Sequence, residues 1–246
     1  MDDIKALHAS QVLFLEAERL GYAPTWKMRD SLFSFQANGR THFISYTRLH
    51  LNSQLGSWIS TSKLATHIVL EENGVRTIPF RCPLTLEEAL PFFAAHKPVV
   101  YKPMAGRQGR EVILVTEQAE FEALTFSTQY LLEEYVPGPE YRYLVLQGKV
   151  LAVRRKDSDP APDNRWRSLS TNLTQEEWDP AMAASAERIA GLLRLGFAAV
   201  DFIVNEAGEP LVLEANSMPG VRSFYQPDAG EPILVAEPLL KAIIES

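Results

Sequence analysis

The stretch that most constrains the fold is GFAAVDFIVNEAGEPLVLEANSMPG, residues 196–220, in which two apolar, β-rich runs flank a glycine. Such runs around Gly208 predict a β-hairpin. If the turn is centred between Ala207 and Gly208, Asp201 lies directly across from Glu214, because side chains alternate between the two faces of a strand. The opposite face is then wholly apolar and carries Val200, Phe202, Val204, Leu211, Leu213 and Ala215.

The polar face of this hairpin holds a set of oxygen ligands. Asn216 lies two residues beyond Glu214 and therefore on the same face. Facing carboxylates have Cβ atoms about 4.5–5.5 Å apart and repel each other unless a cation lies between them. Two carboxylates and an amide oxygen suit Mg²⁺ or Mn²⁺. From these residues alone, a hairpin with polar groups at a sheet edge explains the pattern nearly as well, because a one-residue change in the loop reverses the faces.

Composition narrows the class of protein. A chain of 246 residues can bury a substantial core, and its formal net charge of −7 argues against a nucleic-acid-binding surface. Cys82 is the single cysteine, which excludes an intramolecular disulfide and a multi-cysteine metal site. No apolar run approaches the roughly 20 residues of a membrane span, and the first residues lack a signal-peptide pattern. We therefore expect a cytoplasmic protein that binds neither nucleic acid nor membrane.

Helix and hairpin signals occur together along the chain, as in an α+β fold. Residues 4–20 predict a helix that ends at Gly21, and Asn38-Gly39 predicts a tight turn between alternating strands. Residues 52–60 are polar and irregular, and residues 157–180 predict a long, proline-punctuated loop. Further helices are predicted at 62–74, 85–96, 180–196 and 231–246.

A glycine-containing loop follows the strand that ends near Lys102. Gly106 and Gly109 allow backbone N–H groups of this loop to approach phosphates closely. The chain contains neither GxxxxGK[ST] nor GxGxxG, so the loop is not a P-loop. An ordinary hairpin turn explains it about as well.

A second tight turn is predicted at Gln147-Gly148. In the register that this turn imposes, Glu140 faces Arg155, and Arg142 shares their side of the sheet. A surface ion pair also fits this cluster. Its position just after the acidic segment 133–139 favours a nucleotide pocket.

Five motifs occur in a recognisable order: Lys63 at a helix start, Lys102-Pro before a glycine loop, EEYVPGPEYR, an Arg-Arg strand, and Asp…Glu-x-Asn-x-x-Pro-Gly. Together they resemble the ATP-grasp superfamily, above all the ATP-grasp domains of cyanophycin synthetases and bifunctional glutathione synthetases. Ribosomal-protein glutamate ligases and D-alanine–D-alanine ligases are more distant likenesses. The resemblance runs from about Ala17 to the C-terminus.

The resemblance implies an ATP-grasp fold, in which two α+β lobes bind the nucleotide between antiparallel sheets. We expect residues 1–60 to form a shortened N-terminal region made of a helix and a β-hairpin. Residues 61–130 would form the small lobe with the glycine loop. Residues 131–246 would form the C-terminal lobe with the metal site.

The resemblance also implies roles for the nucleotide-binding residues. Lys63 and Lys102 match two lysines that reach the phosphates of ATP. A mobile loop that closes over these phosphates is matched by Gly106, Gln108 and Gly109. The hinge whose backbone reads adenine is matched by Glu133, Glu134, Tyr135 and Val136. Glu140 matches the acid that binds the ribose hydroxyls.

The remaining implied roles concern the metal and the reacting groups. The ligands of Mg²⁺, or Mn²⁺, are matched by Asp201, Glu214 and Asn216. Arg155 lies where the family places a cation near the transferring phosphate. Arg142 and Arg222 lie where arginines contact phosphate or the acyl substrate. Such an assembly suits phosphoryl transfer, which depends on positioning and charge neutralisation.

The chain departs from the family in two respects. D-alanine ligases have an arginine two residues before the metal aspartate, where this chain has Ala199. Only about 60 residues precede Lys63, too few for a complete doubly wound domain beside the hairpin. We expect a second copy of the chain or a partner subunit to supply the missing substrate contacts. The histidines show no metal-site spacing and are interpreted as structural or surface residues: His8, His42, His50, His67 and His96.

The resemblance implies an ATP-dependent carboxylate–amine ligase. ATP would phosphorylate a carboxylate to an acyl phosphate, and an amine would displace the phosphate to form an amide. Amino acids or short peptides are the expected substrates. Two alternatives stay open: an ATP-grasp phosphotransferase that acts without ligation, and a non-catalytic nucleotide-binding module or partner subunit.

Overall fold

The computed structural model describes residues 7–104, 111–160 and 166–246. The glycine-loop residues Gly106, Gln108 and Gly109 lie outside these ranges. The helices are α1 (Ala9–Arg19), α2 (Gln54–Ile59), α3 (Lys63–Glu72), α4 (Leu86–His96), α5 (Gln118–Glu122), α6 (Pro180–Leu192), α7 (Arg222–Tyr225) and α8 (Ala236–Glu245). A short 3-10 helix covers Gln175–Glu177.

The described strands form three antiparallel sheets. A three-stranded sheet has the order β1 (Thr25–Met28), β2 (Leu32–Ala37), β3 (Arg40–Ser45). A four-stranded sheet has the order β4 (Phe80–Arg81), β7 (Tyr130–Glu134), β5 (Val99–Pro103), β6 (Ile113–Val115). A five-stranded sheet has the order β10 (Trp166–Leu173), β9 (Lys149–Pro160), β8 (Glu140–Leu146), β11 (Phe197–Val204), β12 (Pro210–Asn216). Helices combined with antiparallel sheets confirm the predicted α+β class. The predicted domain boundaries stay a prediction, and β7 crosses the boundary at residue 130.

Local signals placed several elements correctly. Ala37 pairs with Arg40 across Asn38-Gly39, both of which have positive φ, as the predicted turn requires. The hydroxyl of Ser62 accepts a hydrogen bond from the Ala65 N–H at the start of α3. Gly74 has φ +69° just after the end of this helix. The predicted turn at Asn38-Gly39 and the predicted helix over residues 62–74 are confirmed, because both depend on local turn and capping chemistry.

Two predictions of irregular structure are wrong. Within residues 52–60, α2 forms because the Ser53 hydroxyl caps the N–H of Gly56 and the helix packs on Leu193. Within residues 157–180, β9 continues to Pro160 and pairs with β10. The loop prediction failed because cross-strand pairing outweighs a polar, proline-rich composition.

Each face of the five-stranded sheet meets a different layer. One face packs on α6 and on Leu70 of α3 through a cluster that includes Tyr143, Val153, Val200 and Phe202. The other face packs, through Leu144, Ala152 and Ala199 among others, on α1, the three-stranded sheet and α8. The N-terminal elements therefore share a core with the C-terminal part of the chain. The four-stranded sheet has its own core against α4 and α5.

Within residues 7–104, 111–160 and 166–246, no helix combines the length and the apolar character needed to cross a bilayer.

The tight packing of α2 generates a stability prediction. A Cβ added at Gly56 would lie 1.8 Å from the carbonyl oxygen of Leu193. We expect Gly56→Ala to lower the free energy of unfolding by about 1–3 kcal/mol, because the backbone must shift. Gly191 lies in α6 with open space around its Cα, so Gly191→Ala is expected to raise stability by about 0.5–1 kcal/mol. Urea unfolding of both variants measures the difference, and equal effects would contradict the prediction.

Candidate active site

A single row of cross-strand partners spans all five strands of the larger sheet. Asn172 of β10 pairs with Arg154 of β9, and Arg154 pairs with Arg142 of β8. Arg142 pairs with Asp201 of β11, which pairs with Glu214 of β12. Directly paired residues project from the same face of a sheet. The sheet thus presents one amide, two guanidinium groups and two carboxylates side by side.

The predicted pairing of Asp201 with Glu214 is confirmed. The pairing holds although the register next to the turn differs from the predicted one, because a register shift separates Asp201 from the turn. Between Asp201 and Phe202 the register shifts by one, so Phe202 pairs with Val212 and Leu213 is left unpaired. Such a residue is a β-bulge, which reverses the alternation of faces on one strand.

Because of the bulge, the prediction of which β12 residues lie on the apolar face is partly wrong. Val212 packs with Val200 and Phe202, where Leu211 and Leu213 were expected. Leu211 and Leu213 join Ile203 on the other face, in a small apolar cluster with Ile78 and Val136. The turn itself spans Asn205 to Glu209, whose backbones are hydrogen-bonded.

Arg142 approaches both carboxylates. Its Nε donates to Asp201 Oδ1 at 2.7 Å, and an Nη donates to Asp201 Oδ2 at 2.5 Å. The same nitrogen lies 3.6 Å from Glu214 Oε1. This bidentate arrangement fixes the guanidinium more firmly than a single contact would. Arg142 therefore neutralises part of the repulsion between Asp201 and Glu214.

The pKa values of this cluster follow from burial and charge. Burial raises the pKa of Glu214, and the charge of Asp201 raises it further, while Arg142 and Lys63 act in the opposite direction. The charge of Asp201 raises the pKa of Arg142 against the effect of burial. A further positive charge near Asp201 and Glu214 would therefore stabilise the charged form of Glu214.

Asn216 completes the oxygen set on β12. It pairs with Ala199, two residues from the Asp201–Glu214 pair. Its Oδ1 accepts a hydrogen bond from the Met218 N–H at 2.9 Å. An amide oxygen has two lone pairs, so this bond leaves acceptor capacity. Within the described ranges, no group of three or more His, Cys, Asp or Glu side chains is arranged to hold a metal. Among the residues that the structure describes, Asp201, Glu214 and Asn216 would offer a metal here two carboxylates and one amide.

The predicted position of Arg155 is wrong. Near the Gln147-Gly148 turn the expected register holds, since Val145 pairs with Val150. Between Leu144 and Val145 the register then shifts by one, leaving Leu151 unpaired.

The shift moves every later residue of β9. Glu140 faces Lys156, whose Nζ lies 3.0 Å from Glu140 Oε2, and Arg154 faces Arg142. Arg155 projects from the opposite face and pairs with the neighbouring Asp157. One signal for the shift was present: the predicted register placed Arg142 across from the apolar Val153.

Arg154 is a site residue that the sequence did not single out. Its guanidinium lies 5.4 Å from the centre of the Phe224 ring, within the range of a cation–π contact. Its Nε is buried, and no hydrogen-bond partner for it occurs among the described residues. Burial, together with the charge of Arg142, lowers the pKa of Arg154 to about 10. The group still carries its charge at neutral pH.

A second row runs beside the first, two residues nearer the start of β8. Here Lys156 and Glu140 are followed by Ile203 and Leu211. The row changes from charged to apolar where the cluster containing Val136 begins. Glu140 therefore lies between a charged surface and an apolar one.

Lys102 and Glu133 form a buried ion pair in the four-stranded sheet. Lys102 Nζ lies 2.5 Å from Glu133 Oε2, and His67 Nε2 lies 3.1 Å from Oε1. Burial would raise the pKa of Glu133, but Lys102 and His67 lower it more strongly, and the net shift is downward. The carboxylate is thus held in its charged form.

Lys63 is the first residue of α3 and interacts electrostatically with charged residues of both the five-stranded and the four-stranded sheet. Burial lowers its pKa, with Glu214 raising it and Lys102 lowering it further. Its backbone N–H donates to the carbonyl of Met104, just after β5. Lys63 is therefore close to the charged groups of both sheets.

The remaining predicted residues that the structure describes lie outside the two rows and the buried ion pair. The N–H groups of Glu134 and Tyr135 donate to the carbonyls of Pro79 and Pro98. Val136 is buried in the small apolar cluster. Arg222 is exposed at the first position of α7.

The Lys102–Glu133 pair generates a pH prediction. We expect Glu133→Gln to lower the free energy of unfolding by about 3 kcal/mol at neutral pH, as is typical when one charge of a buried pair is removed. The folded pKa lies below the usual 4.5, so the charge of Glu133 contributes stability above that value and the contribution is lost as pH falls through the folded pKa. The difference in the free energy of unfolding between the variant and wild type should therefore become smaller below pH 4.5. Urea unfolding at neutral and acidic pH measures it, with the exposed Glu72→Gln as control, and a gap independent of pH would contradict the prediction.

Comparisons with known proteins agree with this geometry. The family described as "ATP-grasp domain" matches residues 60–220, well over half of the chain. A D-alanine–D-alanine ligase of Clostridium beijerinckii is 27% identical over 183 residues, which cover 68% of this chain and 60% of that protein. A probable α-L-glutamate ligase of Aeromonas salmonicida is 34% identical over 136 residues, covering 51% of this chain and 44% of that protein. The chain thus spans about half the length of these curated relatives.

Solved structures show the same fold. A bifunctional glutathione synthetase from Pasteurella multocida superposes with a TM-score of 0.71 at 16% identity, covering 98% of this chain and 44% of that one. The ATP-grasp ligase PsnB, in complex with a phosphomimetic precursor variant, Mg and ADP, superposes with a TM-score of 0.67 at 22% identity, covering 79% of this chain and 61% of that one. With these folds and the domain match over residues 60–220, the chain belongs to the ATP-grasp family.

Proposed function

We propose that this protein is an ATP-dependent carboxylate–amine ligase. ATP phosphorylates a carboxylate to an acyl phosphate, and an amine then attacks the acyl carbon and displaces phosphate. The products are an amide, ADP and phosphate. The observation that carries the proposal is the row in which two arginines lie directly beside two carboxylates on one sheet face.

The donor set supports a divalent cation. Asp201, Glu214 and Asn216 offer oxygen atoms alone, which Mg²⁺ and Mn²⁺ prefer, and the repulsion between the carboxylates favours a bound cation. Mg²⁺ usually keeps sites for phosphate and water, which agrees with only three ligands from the chain. When bound, the ion would neutralise charge on the phosphates of ATP.

The two lobes supply complementary parts of the proposed nucleotide site. Lys63 and Lys102 bind phosphate oxygens, and Gly106, Gln108 and Gly109, which lie outside the described residues, are assigned to the same phosphates by the sequence resemblance. Adenine contacts the apolar cluster around Val136 and Ile203, with the Val136 N–H as a backbone donor. Glu140 binds the ribose hydroxyls at the charged edge of that cluster.

The arginines stabilise the charge that develops during transfer. Arg142 is already held by two carboxylates, whereas Arg154 has a buried Nε without a described partner. We therefore assign to Arg154 the contact with the transferring phosphate that the sequence resemblance suggested for Arg155. Arg222 contacts the acyl substrate. A charged donor at this point lowers the barrier by stabilising the transition state more than the ground state.

The names of the relatives support amino acids or short peptides as substrates. They include a D-alanine–D-alanine ligase, a probable α-L-glutamate ligase and a bifunctional glutathione synthetase, names that specify amino acids or a short peptide.

The proposal is tested by incubating the protein with ATP, Mg²⁺ and a panel of amino acids and dipeptides. We expect ADP, phosphate and a new amide, detected by mass spectrometry. A stable phosphorylated product without an amide would indicate a phosphotransferase. ATP binding with neither ADP nor amide formation would contradict catalysis.

Neighbouring arginines on β9 provide a matched pair of variants. We expect Arg154→Gln to lower kcat for ADP formation about 100-fold, the effect typical of losing one charge-stabilising donor. Arg155→Gln should change kcat by less than about threefold, because Arg155 lies on the opposite face. Steady-state kinetics measure both. A greater loss for Arg155→Gln would mean that the register or the assignment is wrong.

A further inference from the structure

His67 is a buried residue that the proposed catalytic roles do not use. It lies on α3 with no exposed surface, and its ring stacks on Phe80 with centroids 4.7 Å apart. Its Nε2 lies 3.1 Å from Glu133 Oε1. A charged carboxylate can only accept, so Nε2 carries the hydrogen.

Packing alone gives no reason for a histidine here. The other ring nitrogen, Nδ1, is buried and has no hydrogen-bond partner among the described residues. An unsatisfied buried polar atom costs about 1–3 kcal/mol, which an apolar side chain of similar size would avoid. The bond to Glu133 is the feature that an apolar residue at position 67 would lose.

Glu133 connects His67 to Lys102. Both of its oxygens have partners among the described residues: Oε1 accepts from His67, and Oε2 lies 2.5 Å from Lys102 Nζ. With both oxygens held, the carboxylate has one orientation. The ammonium group of Lys102 is then fixed by a carboxylate that is itself fixed by α3.

The same helix carries Lys63. Residues four apart lie on one face of a helix, so Lys63 and His67 project in similar directions. Both lysines interact electrostatically with Glu133. The contact between His67 and Glu133 therefore ties the helix that carries one lysine to the strand pair that carries the other.

We propose that His67 is a positioning residue for nucleotide binding, which acts through Glu133 to set the position of Lys102 relative to Lys63. The inference rests on the proposed function, because it assumes that both lysines bind the phosphates of ATP. It assigns His67 a role in affinity for the nucleotide, with no contact to the reacting atoms.

The test compares two side chains of similar length that differ in hydrogen-bonding ability. His67→Gln keeps an N–H donor for Glu133, whereas His67→Met fills the space without one. We expect His67→Met to raise the Kd of ADP about tenfold, as for the loss of a hydrogen bond to a charged group, and His67→Gln to stay within about threefold of wild type. Isothermal titration with ADP and Mg²⁺ measures both, and thermal unfolding establishes that both variants are folded.

A second histidine–glutamate pair on the same sheet serves as control. His96 Nδ1 lies 2.7 Å from Glu134 Oε2, but this pair is partly exposed and does not involve a lysine. His96→Met is expected to leave the Kd of ADP within about twofold of wild type.

The outcomes separate the inference from the proposed function. Equal affinity of wild type and His67→Met overturns the inference alone, and so does equal weakening in His67→Met and His67→Gln, because the donor would then be irrelevant. Equal weakening in His96→Met also overturns it. A wild-type protein that binds no ADP overturns the proposed function and the inference with it.

Discussion

The site depends on the electrostatic contact of Arg142 with Asp201 and Glu214. Two carboxylates that face each other across neighbouring strands repel, and burial strengthens that repulsion. The bidentate guanidinium offsets it and in turn lies beside Arg154. Two cationic side chains, Arg154 and Arg142, are therefore followed along one row by two anionic ones, Asp201 and Glu214. A row of this kind has anion-binding groups at one end and cation-binding groups at the other, which are the two requirements of Mg-nucleotide chemistry.

Much of the fold could be predicted because its signals are local. The Asn38-Gly39 turn, the Ser62 cap and the Asp201–Glu214 pairing each depend on a few adjacent residues. The β-bulges at Leu151 and Leu213 were not predicted, because apolar residues at these positions fit either register. The one sign of the first bulge was that the predicted register placed Arg142 across from the apolar Val153. Because the register of β9 shifts by one residue, Arg154 lies on the charged face of the sheet where Arg155 was expected. Recognition of α2 and β10 failed for a related reason: both have contacts distant in sequence, α2 with Leu193 and β10 with Phe224, Asp228 and Glu231.

The two sheets are coupled through α3. Leu70 packs in the core of the five-stranded sheet, while His67 bonds to Glu133 of the four-stranded sheet. Lys63, at the start of this helix, interacts with Glu214 on one side and Lys102 on the other. A helix of ten residues thus determines the spacing between the two halves of the proposed nucleotide site. Positioning of this sort matters in phosphoryl transfer, where the protein contributes geometry and charge.

The most direct test of the account is the position of a metal in the nucleotide complex. Crystals soaked with ADP and MnCl₂ can be measured at a wavelength where manganese scatters anomalously. The account predicts an anomalous peak within about 2.0–2.5 Å of oxygen atoms of Asp201, Glu214 and Asn216. Bound ADP with manganese held elsewhere, or with Asp201 and Glu214 on opposite faces of the sheet, would contradict it.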